Sequence, residues 1–427
     1  MTAVRGARFL RAPQPTSAGR ADTVVVGAGQ AGLALSYHLT RGGHEHVLIE
    51  RGRLGQSWHD RWDSLTLLSP NWMNRLPGGA THDDPHGFLR RPELIAYLEA
   101  YARSFEAPVI EGVAVTRIDR DPPGFRIETT SGEWLARNVV LATGDAALPH
   151  VPFGVPPAVV SLHAADYRRP ALLPDGPVLV VGAGASGQQL ALELRDAGHR
   201  VVLSVGRHSR APRSYRGRDI FEWLDLLGDF DRTVDELQNV EAAKRVPLFP
   251  LSGANRGEDL GLDRLAAGGV TLTGRLLSID GAHAVFADDL AENLASADAR
   301  LRKLFRRIDA HPHARGRRAE SFPDLVVPPG PRTLDLRSVG SVIWATGFRR
   351  AYPWLDVRGV LDARGEIVQR QGATRVPGLY VLGLAYQYRR SSHFIGGVGR
   401  DAAAVAGRIL AGRRHHGHRA VVPAFAA

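Results

Sequence analysis

The sequence predicts an α/β fold of two doubly wound parallel-sheet units, the second inserted into a discontinuous first. Three observations predict it. Residues 23–32 read Thr23-Val24-Val25-Val26-Gly27-Ala28-Gly29-Gln30-Ala31-Gly32, and residues 178–187 repeat the pattern as Val178-Leu179-Val180-Val181-Gly182-Ala183-Gly184-Ala185-Ser186-Gly187. Two further apolar runs, Val139-Val140-Leu141-Ala142-Thr143-Gly144 and Val342-Ile343-Trp344-Ala345-Thr346-Gly347, end in the same three residues. The chain has 427 residues, of which 44% are hydrophobic and 23% charged; this is ordinary globular composition at a length beyond the usual single core.

Each glycine turn follows an apolar run that reads as a buried strand and precedes a helical pattern. The match continues without a gap: Leu39 aligns with Leu194, Gly43 with Gly198, His44 with His199, and Val47-Leu48 with Val202-Leu203. Residues 20–165 are read as the first part of one domain, 166–334 as the inserted domain and 335–415 as the remainder of the first. Pro-rich flanks at Pro149–Pro157 and Pro328–Pro331 fit linkers. A helical insertion is expected near 285–320. There Leu290, Leu294, Leu301, Leu304, Phe305 and Ile308 recur at helical spacing with Glu, Asp and Arg opposite. Packing is its plain role; a lid or an oligomer surface is the alternative, which leaves a homodimer open.

The two turns predict two dinucleotide sites. Gly27 permits the tight turn, Gly29 lets a pyrophosphate approach the backbone, and Gly32 lets helix and strand close. The helix start offers unpaired N–H groups to the phosphates. Glu50 ends the next strand, where an acid accepts a ribose hydroxyl. This pattern alone does not separate FAD from NAD. In the second unit Gly182, Gly184, Ser186 and Gly187 repeat the turn, but Val205 replaces the acid. Arg207, Arg210, Arg213, Arg216 and Arg218 follow it. A lost carboxylate and gained guanidiniums suit a 2′-phosphate, so the second site is read as preferring NADPH, with Arg207 and Arg210 nearest the strand end.

The chain has no cysteine, which excludes disulfides, thiolate metal sites and a redox-active cysteine pair. The formal charge of +10 comes mostly from Arg. No interleaved aromatics or helix-turn-helix pattern accompany it, so no nucleic-acid partner is expected. No apolar run is long enough to span a membrane. Residues 1–20 lack the apolar stretch of a secretory signal and read as a loose tail; a cytoplasmic location is the expectation. His415, His416 and His418 sit near a basic tail, and no metal site is expected there.

With these motifs in place, the chain resembles the flavin-containing (class B) monooxygenases and their bacterial FAD/NAD(P)-binding relatives, from about Ala21 to Leu410. Leu54-Gly55-Gln56-Ser57-Trp58 follows Glu50 as a GxxW-type segment does in that family. Arg61-Trp62-Asp63-Ser64-Leu65, Pro70 and Leu76-Pro77-Gly78 resemble the stretch after it. His163 and Tyr167 resemble the end of the linker motif, and Ala345-Thr346-Gly347-Phe348 with Pro377–Gly383 resemble the closing flavin-domain strands. The linker departs from the family where Pro157 and Val159 replace Phe and Gly. The resemblance implies two Rossmann-like domains, FAD in the first and NADPH in the second. It implies cofactor contacts from Gln30, Arg51, Gln56, Ser57, Trp58, Thr143, Gly144, Thr346, Gly347, Gly383 and Gly397 as well. Disulfide reductases share the two-site plan, but need the cysteines this chain lacks.

The implied reaction passes hydride from NADPH to flavin and then oxygen, through a flavin C4a-hydroperoxide, to nitrogen, sulfur or carbonyl carbon of a small molecule. Molecular oxygen is the second substrate. Asn71, beside Pro70, is a candidate to hydrogen-bond near the flavin. His163 is a candidate to orient the nicotinamide or to link the domains. An NADPH oxidase or flavin dehydrogenase is the alternative enzyme, and a flavin-binding sensor the non-catalytic one.

Overall fold

The computed structural model describes residues 19–144, 148–244, 246–328 and 330–417, with the side chains of 413–417 left out. The tail up to residue 18 and the side chains of His415, His416 and His418 lie outside the described residues.

In chain order the elements that position the site are β1 (Gly19–Val26), α1 (Gln30–Arg41), β2 (His46–Ile49), α2 (Arg91–Ser104), β3 (Val109–Ile110), β4 (Val115–Asp121), β5 (Gly124–Thr129) and β6 (Gly132–Leu141). Next come β7 (Val160–His163), β8 (Val178–Val181), α3 (Ala185–Asp196), β9 (Val201–Ser204), β10 (Thr271–Thr273), α4 (Leu290–Asp309) and β11 (Ser341–Trp344). The chain closes with β12 (Leu355–Asp356), β13 (Leu379–Val381) and α5 (Val398–Gly417). The first sheet runs β12-β4-β5-β6-β1-β2-β3, with β13 along β6. The second is a parallel sheet of order β10-β9-β8-β11-β7.

The sequence repeat is a repeat of register. Val25 lies opposite Leu48 on one side and Val140 on the other; Val180 lies opposite Leu203 and Ile343. The stretches Val24–Val26 and Val178–Val181 are apolar at every position because both faces are covered there. Val25 packs under α1 and α5, whereas Val24 and Val26 face the opposite core. Val178 and Val180 face one core of the second sheet, and Leu179 and Val181 the other.

This arrangement corrects two expectations. The run ending Ala345-Thr346-Gly347 does not close the first sheet. As β11 it pairs with β8 in the second, the twin of β6 beside β1. Both β7 and β11 belong to the second sheet, so the inserted unit reaches beyond 166–334 at each end. The exchange follows from parallel pairing: every residue of β11 is buried, and the strand sits between two parallel partners, β8 and β7.

The expected amphipathic helix is α4. Leu290 and Leu294 enter the core of the second sheet. Leu304 and Ile308 enter a neighbouring cluster with Tyr215, Trp223 and Leu251. Phe305 stacks on Tyr215 with ring centroids 3.9 Å apart. The helix therefore packs within its own chain.

Gly32 and Gly187 each leave no room for a side chain: a Cβ at either would press into the carbonyl oxygen of Gly27 or Gly182. Gly32→Ala and Gly187→Ala are each expected to lower stability by about 1–3 kcal/mol through overpacking. A urea midpoint equal to wild type in either variant would show that the helix can back away from its turn.

Candidate functional site

The glycines of each turn divide into two kinds. Gly27 and Gly182 have φ of +105° and +107°. A Cβ there would lie 2.6 Å from the Ala142 carbonyl oxygen or 2.5 Å from that of Ala345. These residues, with Gly32 and Gly187, are glycine because the fold requires it. Gly29 and Gly184 are different. Their φ values of −81° and −71° suit any residue, and a Cβ would meet no protein atom within 4 Å. Neither strain nor packing explains glycine there. Open space in front of a helix start does, because a bound pyrophosphate needs that approach. The first turns of α1 and α3 carry no acidic residue to repel it.

Around the first turn, Glu50 is buried. Its carboxylate accepts the N–H of Ala28 at 2.8 Å and of Gly52 at 3.1 Å, which ties the strand end to the turn and leaves lone pairs for a ribose hydroxyl. Trp58 Nε1 donates to Gln30 Oε1 at 3.2 Å across the mouth of the turn. Gln56 accepts Arg53 N–H and donates to Asp60, so its amide organises the loop around Arg51 and Ser57, both exposed. Thr143 and Gly144 are exposed at the end of β6, and Gly144 faces open space with φ of +79°. Gly383 brings the end of β13 against α1: a Cβ would lie 2.9 Å from that of Ala31. Gly397, by contrast, is required by the Ser391 carbonyl packed on it at the start of α5.

At the second turn Val205 is fully buried where Glu50 stands in the first. Ser186 lies partly exposed in the first turn of α3. Thr346 and Gly347 follow β11; the Thr346 hydroxyl donates to the His150 carbonyl, and Gly347 faces open space. The arginines separate. Arg207 is exposed, and among the described residues no carboxylate pairs with it. The Arg210 guanidinium donates to Asp298 at 2.6 Å and to the Pro323 carbonyl at 2.9 Å, with Asp263 at 3.5 Å. Asp298 is 3% exposed, so Arg210 is committed to a buried pair. Arg213 donates to the Leu68 carbonyl at 2.6 Å over the Phe88 ring, joining the two units. Arg216 pairs with Asp309 and Arg218 with Glu222.

α4 holds this whole loop. Asn293 donates to the Val205 carbonyl at 3.3 Å, Arg300 to the His208 carbonyl, and Asp298 grips Arg210. Motif reading missed this face of α4, which lies some ninety residues downstream. The available signal was Asp298, a carboxylate on an otherwise apolar stripe.

Both catalytic candidates are held by hydrogen bonds within the chain. The Asn71 amide donates to the Asp84 carbonyl at 2.9 Å and accepts Leu89 N–H at 3.0 Å, clamping the 71–89 loop. His163 is 2% exposed. Its Nδ1 accepts Ala165 N–H at 3.1 Å, which places the proton on Nε2, the donor to the Gly347 carbonyl at 3.0 Å. Burial holds its pKa below the ordinary 6.5. With both ring nitrogens engaged, His163 ties β7 to the turn after β11 and has none left for a ligand.

Two glycine turns on two parallel sheets, each with an open approach to a helix start, define a two-site dinucleotide-binding protein. The sequence profile of the pyridine nucleotide-disulphide oxidoreductases matches residues 24–224. A CzcO-like oxidoreductase of Geobacillus kaustophilus is 33% identical over 395 residues, 91% of this chain and 98% of that one. The chain belongs to the family of CzcO-like oxidoreductases. A probable indole-3-pyruvate monooxygenase of Arabidopsis thaliana, YUCCA3, is 31% identical over 220 residues, covering 47% of this chain and 49% of its own. A flavin-containing monooxygenase from Stenotrophomonas maltophilia shares the fold with a TM-score of 0.65 at 22% identity, covering 92% of this chain and 99% of that one. No helix among the described residues is long and apolar enough to cross a membrane, and no cluster there is suited to a metal ion.

Asp298→Ala is expected to cost about 3–5 kcal/mol, because it strands the Arg210 guanidinium; the paired change Arg210→Met with Asp298→Leu should recover most of it in urea denaturation. A second expectation concerns pH. Folded His163 stays neutral below 6.5 while the unfolded chain takes up the proton, so its contribution is present above pH 6.5 and is lost as pH falls toward the lowered folded value. His163→Gln should therefore flatten the fall in urea midpoint between pH 7 and pH 5; an unchanged slope would show that His163 does not carry it.

Proposed function

We propose that the chain is an FAD-containing, NADPH-using monooxygenase that oxygenates a small organic substrate at nitrogen, sulfur or carbonyl carbon. The observation that carries the reading is the pair of open glycines, Gly29 and Gly184, which nothing within the chain requires. Glu50 beside the first suits the adenosine ribose of FAD, and Val205 with Arg207 beside the second suits the phosphorylated ribose of NADPH. The absence of cysteine removes dithiol chemistry, although the fold is shared with reductases. The oxidoreductase relatives support redox chemistry, and the partial likeness to YUCCA3 supports oxygen transfer.

When bound, the flavin would carry electrons from nicotinamide to oxygen. The chain's own residues bind and orient. Helix starts α1 and α3 hold the two pyrophosphates, while Trp58 and Gln30 close the mouth of the first turn. His163 fixes the turn at Gly347 beyond the end of β11, and Arg213 over Phe88 holds the two units together. No acid–base pair is needed, in keeping with the hydrogen-bonded commitments of Asn71 and His163. A second reading, an NADPH oxidase that releases peroxide, is favoured by one observation: His163 offers no free nitrogen to a bound nicotinamide.

Purified protein is expected to be yellow with non-covalent FAD. Gly29→Asp should lose the flavin absorbance while the unfolding free energy of the ligand-free chain, read by urea denaturation, stays within about 0.5 kcal/mol of wild type, since no protein atom is displaced. Full FAD occupancy in Gly29→Asp would sink the assignment. The reaction type is read by supplying NADPH and oxygen with a panel of amines, sulfides and ketones: oxygenated product equal to NADPH consumed supports the monooxygenase, and quantitative peroxide with no product supports the oxidase.

A further inference from the structure

Four of the five arginines after β9 are accounted for by carboxylates on neighbouring elements: Arg210 by Asp298, Arg213 by Asp219, Arg216 by Asp309 and Arg218 by Glu222. Arg207 alone remains, and one guanidinium is a meagre match for a dianionic phosphate. A second one comes from elsewhere in the chain. Arg300, on α4, donates through Nη2 to the carbonyl of His208, the residue next to Arg207, and through Nη1 to Ser296 Oγ at 2.7 Å. Its Nε is buried without a hydrogen-bond partner, and no carboxylate pairs with it among the described residues. Each nitrogen that bonds within the chain keeps a further N–H.

We propose that Arg300 is the second guanidinium of the 2′-phosphate reader, and that α4 is the wall that makes the second site selective for NADPH. The inference rests on the reading of that site as the NADPH site. Three polar side chains of α4 support it, Asn293 and Arg300 two turns apart on one face and Asp298 on the buried stripe. Asn293 fixes the Val205 carbonyl, where the first site has its ribose-binding acid; Asp298 neutralises Arg210; Arg300 reaches the loop between them. Burial and the nearby Arg207 both push the Arg300 pKa down. Two adjacent cations without a carboxylate are unfavourable in the free chain, and an anion between them relieves the repulsion. Arg275, whose stem lies 3.6 Å from a Cβ built at Gly206, is drawn toward Asp289 instead.

The test compares Arg300→Met, Arg300→Lys and Arg207→Met holoproteins with wild type. It measures KM for NADPH and for NADH, and the Kd of 2′,5′-ADP and of 5′-AMP by calorimetry. Flavin content and urea midpoint report whether each variant folds. Arg300→Met is expected to raise KM for NADPH and Kd for 2′,5′-ADP by roughly 10- to 100-fold, with NADH and 5′-AMP within about twofold. Arg300→Lys should recover part of the loss, because charge is kept and the fork is not. Equal losses for phosphorylated and unphosphorylated ligands, or no loss, would overturn the role of Arg300 while leaving the site's NADPH preference standing. Wild-type protein that binds 2′,5′-ADP no more tightly than 5′-AMP would overturn the NADPH reading itself and this inference with it. A misfolded Arg300→Met protein shifts the decision to Arg300→Lys, whose NADPH/NADH ratio must still fall.

Discussion

The backbone crossing at each glycine turn is the constraint on which the rest of the structure depends. Gly27 passes so close to the Ala142 carbonyl, and Gly182 to that of Ala345, that any side chain would collide. Each crossing welds three neighbouring strands and a helix start into one unit. Gly27 N–H bonds to the Ile49 carbonyl on one flank, while Ala142 N–H bonds to the Val26 carbonyl on the other; Gly182 with Ser204 and Ala345 with Val181 repeat the scheme. The strand ends, the helix start and the residue after the next strand are thereby fixed relative to one another. A ligand laid across the turn meets the same backbone in both units.

That duplication explains what the sequence revealed and where it fell short. The turns, the helices after them and the contrast between Glu50 and Val205 are local, written within about thirty residues, and each follows from the steric demands of one fold element. The partner of β11 is a different matter. The runs ending at Gly144 and Gly347 are alike because they play the same part in two different sheets. An apolar strand read on its own does not say which sheet it joins. Both strands lie beside a central strand with the same turn, and the resemblance between them encodes that relation.

The site residues divide on the same principle. Residue type declares what a side chain is able to do; competition within the fold decides what it does. Asn71, His163 and Arg210 are well suited to the roles the motifs implied, yet the backbone groups of Asp84, Leu89, Ala165 and Gly347 and the Asp298 carboxylate have claimed them. A buried donor left without a partner costs more than a satisfied one contributes, so such partners are taken wherever the fold presents them. Glycines escape this competition. Gly29 and Gly184 have no side chain to divert, and their reading from sequence carries directly into an open approach.

The difference between the two sites then comes down to charge on a shared backbone. Formal charge is a poor guide to it: the chain carries +10 overall, but the arginine-rich loop after β9 is mostly neutralised by Asp219, Glu222, Asp298 and Asp309. What acts on a ligand is the charge left unpaired at the position the ribose must occupy. In the first unit that is the Glu50 carboxylate, already steadied by two backbone N–H groups and hostile to a second phosphate. In the second it is Arg207, above a fully buried Val205. Two sites of common geometry can therefore hold different dinucleotides side by side, as a hydride transfer between them requires, because a turn that binds any pyrophosphate leaves the choice of nucleotide to the few groups beyond the next strand.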